Sequence, residues 1–262
     1  MDRPWLIVAA LCYLASFGHT LYALGAGKFR PARFNLAAML AGFGATTVFL
    51  VLRGQQVGAC PITNLFEVLI FLSWSIVLIY LLVGPAYRLS LMGAFTAPLV
   101  LVIMIVALLA PADDPALIKF PNAWVEFHAA LSIIAYGAFG LGAIAGVMYL
   151  VQERQLKRHT AGELFYNLPP ITDLSRANSR LLFTGFILLT VAFAAGIAAG
   201  LPIANAKSIT SFLIWGVYAA ILLATRTGRL APRRSASLSV VVFVVALVTL
   251  PAIQALSVRA GS

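Results

Sequence analysis

Four ionisable side chains lie inside or at the edge of long apolar stretches: His19, Glu67, Glu126 and His128. Charge is costly in lipid, so such groups face a cavity or a partner. An imidazole there can ligate a metal, or sit neutral and hydrogen-bonded to a neighbouring helix or facing water. His128 belongs to the run WVEFHAALSIIAYGAFGLGAIAGVMYLVQERQLK, Trp124 to Lys157. At four-residue steps His128, Ser132, Tyr136 and Gly140 share one helix face, which reads as a possible cavity wall. Ala138, Gly142 and Gly146 lie on another, with the small-xxx-small spacing that lets helices pack closely in lipid. His19 lies roughly 21 Å along its helix from Trp5, and His128 near the opposite boundary. Their depths differ by about 15 Å, too much for two axial ligands of one iron.

A second informative stretch is CPITNLFEVLIFLSWSIVLIY, Cys60 to Tyr80. Pro61 and Asn64 form a turn, Thr63 or Asn64 can cap the following helix, and Glu67 stands three residues after Asn64 as in a capping box. That cap explains the residues without any function. At a level comparable with Glu126 and His128, Glu67 can also polarise a ligand or orient an imidazole. Trp74 reads as a packing or interface residue. Cys12 and Cys60 form no CxxC or CxxCH, which leaves a disulfide framework, a zinc site and covalent haem attachment to this chain unsupported. No HExxH, GxSxG, Walker loop or strand-linked GxGxxG is present, so hydrolase and nucleotide-driven readings lack their parts.

The elements that must carry these residues are membrane spans. The 262-residue chain is 62% hydrophobic and 10% charged, with a mean hydropathy of +0.99. Those values exclude an ordinary soluble domain. Eight stretches can cross about 30 Å: 5–25, 34–52, 65–83, 91–109, 125–151, 181–200, 208–224 and 238–256, the seventh being short. The run after Arg3 is too long for a signal-peptide core and is taken as the first span. No linker or strong repeat divides the chain, so one domain over 1–262 is expected. Of the 18 basic residues, those after spans one, three, five and seven outnumber those on the other side by thirteen to five. This bias predicts both termini outside and a bacterial inner-membrane setting. The net charge of +10 therefore reflects membrane orientation; the basic footprint of a nucleic-acid binder is missing. The longest loop, 152–180, begins as a charged extension of span five, is stopped by Pro169-Pro170, and offers Asp173 or Ser175 as a cap for span six.

Nearly the whole chain resembles the CcsA-like cytochrome c assembly family, especially its shorter HemX/YpjD-type branch. PITNLFEVLIFLSW is similar to the family's proline-x-x-asparagine-leucine-aromatic-glutamate segment. FHAALSIIAYGAFGLGAIAGVMYLVQERQLK is similar to the span whose outer histidine is an axial haem ligand, the place of His128. His19 matches the membrane-embedded histidine of the span preceding the PxxN loop. LPPITDLSRANSRLLFTGFILLT, WGVYAAILLATRTG and RRSASLSVVVF follow the family's later order. The tryptophan-rich WWD segment of full synthases would fall at GLPIANAKSITSFLIW, where Lys207 and Trp215 remain. The second membrane and second outer histidines would fall near Ala224 and Leu256.

The resemblance implies an all-α, eight-span, N-out/C-out bundle that binds or passes non-covalent haem b and assists cytochrome c maturation, while the departures at the WWD segment and the second histidines weigh against the synthase reaction itself. In it His128 is the outer and His19 a deeper haem ligand. Glu67, Asn64 and Glu126 shape the outer mouth, and Tyr136 and Trp215 complete the cofactor-binding set. Partners would be the bilayer, haem, other maturation proteins or a haem-pathway enzyme, and no nucleic acid. Two competing expectations are a membrane regulator or scaffold of the haem pathway, docking through the stem at 152–170, and a transporter of another small solute.

Overall fold

A computed structural model describes residues 3–25, 33–83, 92–109, 122–158, 169–202 and 206–260. The described residues form eight α-helices: α1 Arg3–Gly25, α2 Arg33–Val57, α3 Leu65–Val83, α4 Met92–Leu109, α5 Ala123–Lys157, α6 Ile171–Ala198, α7 Ala206–Arg226 and α8 Pro232–Ala260. All eight contain a segment long and apolar enough to cross a membrane, and no strand occurs among the described residues. Only closed backbone hydrogen bonding survives in hydrocarbon, and a helix supplies it within each segment. The protein is thus a multi-pass membrane helix bundle, as its composition requires.

The bundle is built around α5. This helix packs along much of its length on α6 and also meets α8, α3 and α4, while α1 pairs with α2 and α4. Association in lipid depends on close packing more than on apolar burial, so small residues decide where helices touch. A Cβ added at Gly142 would lie 3.1 Å from the Leu182 side chain, and one at Gly146 would lie 2.8 Å from the Ser239 hydroxyl and 2.9 Å from the Ala236 carbonyl. That face of α5 is a packing seam, as its spacing predicts. The opposite stripe divides: a Cβ at Gly140 would meet Phe243 at 2.8 Å and Ile76 at 3.3 Å. Gly140 therefore belongs to the packed core, and the possible cavity wall is restricted to the stripe's first residues.

Several helices extend beyond their apolar runs. α6 begins at Ile171, ten residues before the hydropathy rise at Leu181, because Leu174, Ala177 and Asn178 turn inward while Arg176 and Arg180 stay exposed. The Asn178 amide donates to the Gly142 carbonyl at 2.8 Å and to Ser239 Oγ at 2.9 Å, tying α6 to α5 and α8. Neither Asp173 nor Ser175 caps this helix; its N-cap is Pro170, without a side-chain bond. Asp173 sits instead in the first turn, where a carboxylate favours the helix dipole, and meets Arg176 at 3.5 Å. The charged end of α5 stays helical through Lys157, braced by Glu153 to Lys157 at 2.8 Å and to Arg233 of α8 at 3.3 Å. Residues 159–168 of the expected docking stem, Asp2, Asp113, Asp114 and the side chains of Lys207 and Leu256 lie outside the described residues.

Candidate functional site

Two groups of predicted residues meet at the end of the bundle opposite the basic loops. The first closes the start of α3. Asn64 is its N-cap, with Oδ1 accepting from the Glu67 N–H at 2.9 Å. Glu67 Oε2 accepts from the Thr63 N–H at 2.9 Å and from Thr63 Oγ1 at 2.6 Å. The other carboxylate oxygen accepts from Arg53 Nε at 2.7 Å, in a pair 7% exposed on the arginine side and 0% on the glutamate side. A fully buried carboxylate requires such a partner. Arg53 went unnoticed as a site residue, although one basic residue late in an apolar run, fourteen positions before a span-edge acid, is itself a pairing signal. Glu126 accepts from the Cys60 N–H and fastens the 58–64 turn to the start of α5. Burial pushes the Cys60 thiol up to about 11, reinforced by the negative charges of Glu126 and Glu67.

The second group surrounds His128. Its Nδ1 lies 2.6 Å from the Ala192 carbonyl of α6, and a carbonyl can only accept, so Nδ1 carries the proton. That tautomer leaves Nε2 with a lone pair, the arrangement found when a backbone carbonyl orients a metal-ligating histidine. No described residue pairs with Nε2. The ring comes this close because position 196 is glycine: a Cβ there would lie 2.8 Å from Nδ1. Sequence reasoning missed Gly196, since one glycine in GIAAG looks like any small residue of a span. Ser132 Oγ donates to the His128 carbonyl at 2.7 Å.

His128 borders a cavity of about 90 Å³ between α5, α6 and α7, lined also by Phe193, Ile197, Leu201, Ser211 and Phe212. Just beyond it the chain leaves α6 through Gly200, whose φ of +73° is left-handed and suits a residue without Cβ. The lining is apolar apart from the imidazole and serine hydroxyls, the pattern of a hydrophobic-ligand site. Its volume is well below the roughly 300–1,000 Å³ of a pocket enclosing a drug-sized ligand. The donor chemistry therefore fits haem iron, while the half-open cavity is smaller than a porphyrin; α7, whose span is only 17% buried, is the wall with least packing to lose.

The remaining predicted residues divide between this site and other regions. Tyr136, two turns below His128 on the same face, is buried and reaches the Ser211 hydroxyl on the cavity wall. Trp215, one turn below Ser211, donates Nε1–H to Thr190 Oγ1 at 2.9 Å and stacks on Phe186 at 5.2 Å. It holds α7 to α6 beneath the cavity. Asn64 and Glu67 are occupied by the α3 cap, and Glu126 by the turn, so they build the rim without lining the cavity. His19 lies elsewhere, between α1 and α2, its ring 4.7 Å from Phe34 beside the Ser16–Asn35–Thr20 hydrogen-bond cluster. Trp74 is a packing residue, donating to Thr47 Oγ1 at 2.9 Å and stacked on Phe43. Among the described residues no cluster of three or more His, Cys, Asp or Glu could hold a bare metal ion.

Known proteins resemble the chain over most of its length. Cytochrome c biogenesis protein CcsA of Guillardia theta is 27% identical, across 78% of this chain and 79% of its own length. A protein of the same name from Synechococcus sp. (strain JA-2-3B'a(2-13)) is 28% identical across 65% of this chain, which spans only 53% of that relative. Protein HemX of Brevibacillus brevis is 24% identical across 71% of each chain. The family profile described as cytochrome C assembly protein matches residues 62–250, which run from the turn before α3 into α8 and contain the α3 cap, His128, Gly196 and the cavity wall on α7. The chain belongs to the cytochrome c assembly protein family.

Proposed function

We propose that this protein binds non-covalent haem b in the inner membrane of a bacterium and presents it for cytochrome c maturation, with His128 as the axial ligand. The observation that carries this reading is the His128 tautomer: the Ala192 carbonyl holds the Nδ1 proton and leaves Nε2 for iron beside an apolar cavity. Haem supplies an electron-deficient iron that accepts this lone pair. Phe193 and Phe212 would give haem apolar surroundings, and Ser211 and Tyr136 would supply hydroxyls to its polar groups. Haem would enter from the open side of this cavity, beside the sparsely buried α7. The rim of Asn64, Glu67 and Glu126 keeps the α5 end fixed. Trp215 holds α7 to α6 beneath the site, and His19 serves as a second, deeper ligand station on α1. The basic bias of alternate loops supports an external site for His128 and external termini.

Equilibrium titration of the purified full chain with haem tests the reading. Wild type should develop a saturable Soret band, His128→Ala should lose most of it, and His19→Ala should retain the His128-dependent part. Absence of a saturable band in wild type would contradict the proposal.

A further inference from the structure

We propose that one internal water molecule is held beneath the His128 cavity by the hydroxyls of Tyr218 and Tyr136, and is linked through Ser211 to the cavity wall. Tyr218 lies within the apolar span of α7 and is 0% exposed, yet no described residue hydrogen-bonds to its hydroxyl. A phenylalanine would fill the same space without burying a polar atom. Leaving a buried hydroxyl without a partner costs free energy, and buried polar side chains in native proteins are paired with protein groups or with ordered water. Hydrocarbon offers no substitute at this depth.

The packing keeps this phenol from turning toward another protein partner. Its ring stacks on Phe139 of α5, centroids 3.8 Å apart and planes 5° from parallel. Phe139 is pressed in turn against α6, where a Cβ at Gly185 would lie 2.7 Å from its ring. Helices α5 and α7 both begin at the cavity end, where His128 and Ser211 share its lining, and helical side chains lean toward their own N-terminus. The phenols of Tyr136 and Tyr218 therefore lean the same way, toward the cavity floor. Ser211 and Tyr218 stand on one face of α7, two turns apart, and Tyr136 reaches the Ser211 hydroxyl. Tyr218 is also close enough to Tyr136 for the two phenols to interact electrostatically. A phenol that bonds to one hydroxyl can serve a second, so two tyrosines and a serine supply the roughly two to four polar partners that a buried water requires. A charged group would be costly here, whereas water both donates to and accepts from hydroxyls. The floor of the apolar cavity is thus hydrated, and a ligand seated beside His128 meets a hydrogen-bonding surface there in place of hydrocarbon.

The site is tested on the haem-free full chain in lipid nanodiscs, so its outcome is separate from that of the haem titration. X-ray pulses convert bound water into hydroxyl radicals that oxidise adjoining side chains even where bulk solvent does not reach. Mass spectrometry of peptides from protein equilibrated in oxygen-18 water then reads the label at each tyrosine. Tyr13 is the reference: it is also 0% exposed, but its hydroxyl pairs with Thr46 Oγ1 at 3.4 Å. Tyr218 and Tyr136 should be oxidised well above Tyr13, and Tyr218→Phe should bring Tyr136 down toward the Tyr13 level. The same variant should lower the thermal midpoint by about 2–4 °C, the shift that losing one hydrogen bond gives in a chain of this size. Removing a hydroxyl that had no partner would raise it instead. Oxidation of Tyr218 no higher than that of Tyr13 would overturn the water site, as would an unchanged or raised midpoint. If Tyr218→Phe does not fold, the comparison of Tyr218 with Tyr13 in the wild type decides alone.

Discussion

At the scale of single residues, one missing Cβ decides the geometry of His128. Gly196→Ala would place a methyl within 2.8 Å of Nδ1 and push the ring off the Ala192 carbonyl. Haem affinity should fall about tenfold, the value of one hydrogen bond of about 1–1.5 kcal/mol, with helical content unchanged by circular dichroism. Cys60 gives a second check on local electrostatics. With its thiol at about 11, the thiolate fraction at pH 8 is roughly a hundredfold below that of an ordinary cysteine near 8.5–9. Alkylation should therefore be slow and accelerate about tenfold per pH unit up to that value. Glu126→Gln removes a nearby negative charge, lowers the thiol pKa and should speed the reaction at fixed pH, measured in a Cys12→Ser background. The chemistry of His128 was legible from residue type and span, but the carbonyl that sets its tautomer lies 64 residues away in sequence. Such a partner is a product of packing and leaves no local pattern.

At the scale of elements, the α3 entrance shows how a capping signal and an ion pair combine. Asn64 and Glu67 follow the capping-box spacing; Asn64 caps as read, while the Glu67 carboxylate returns to Thr63 instead of to the N-cap N–H. The buried partner of Glu67 comes from the end of α2, so hydropathy alone registered Arg53 as a loop charge. Arg53→Ala leaves a buried, uncompensated carboxylate and should cost about 3–5 kcal/mol, seen as a lowered thermal midpoint in detergent. Arg53→Met/Glu67→Gln should recover a large part of that loss. Helix ends were the least legible features: α6 starts at Ile171 because Leu174 and Asn178 face inward among exposed arginines. Averaged hydropathy hides such a polar, amphipathic lead-in. The stripe on α5 was similarly half-readable, since spacing predicts which residues share a face but not that Phe243 of α8 fills the space at Gly140.

At the scale of the whole molecule, eight spans and their alternating loop charge were evident because apolar length and basic bias are properties of the chain itself. The arrangement of the helices around α5 was not, because long-range contacts decide which spans adjoin. The proposed orientation predicts that a membrane-impermeant maleimide added outside intact cells labels Trp124→Cys and not Arg229→Cys, in a chain with Cys12 and Cys60 changed to serine. The reverse labelling would invert the bundle. The cavity lies between α5, α6 and α7 with His128 at its edge, so the central claim concerns one imidazole and its iron. It is tested most directly by the absorption spectrum of the haem-loaded full chain beside that of His128→Ala. A Soret band in wild type that largely disappears in the variant, with the fold intact, is the predicted result; a band of equal position and strength in both would contradict it.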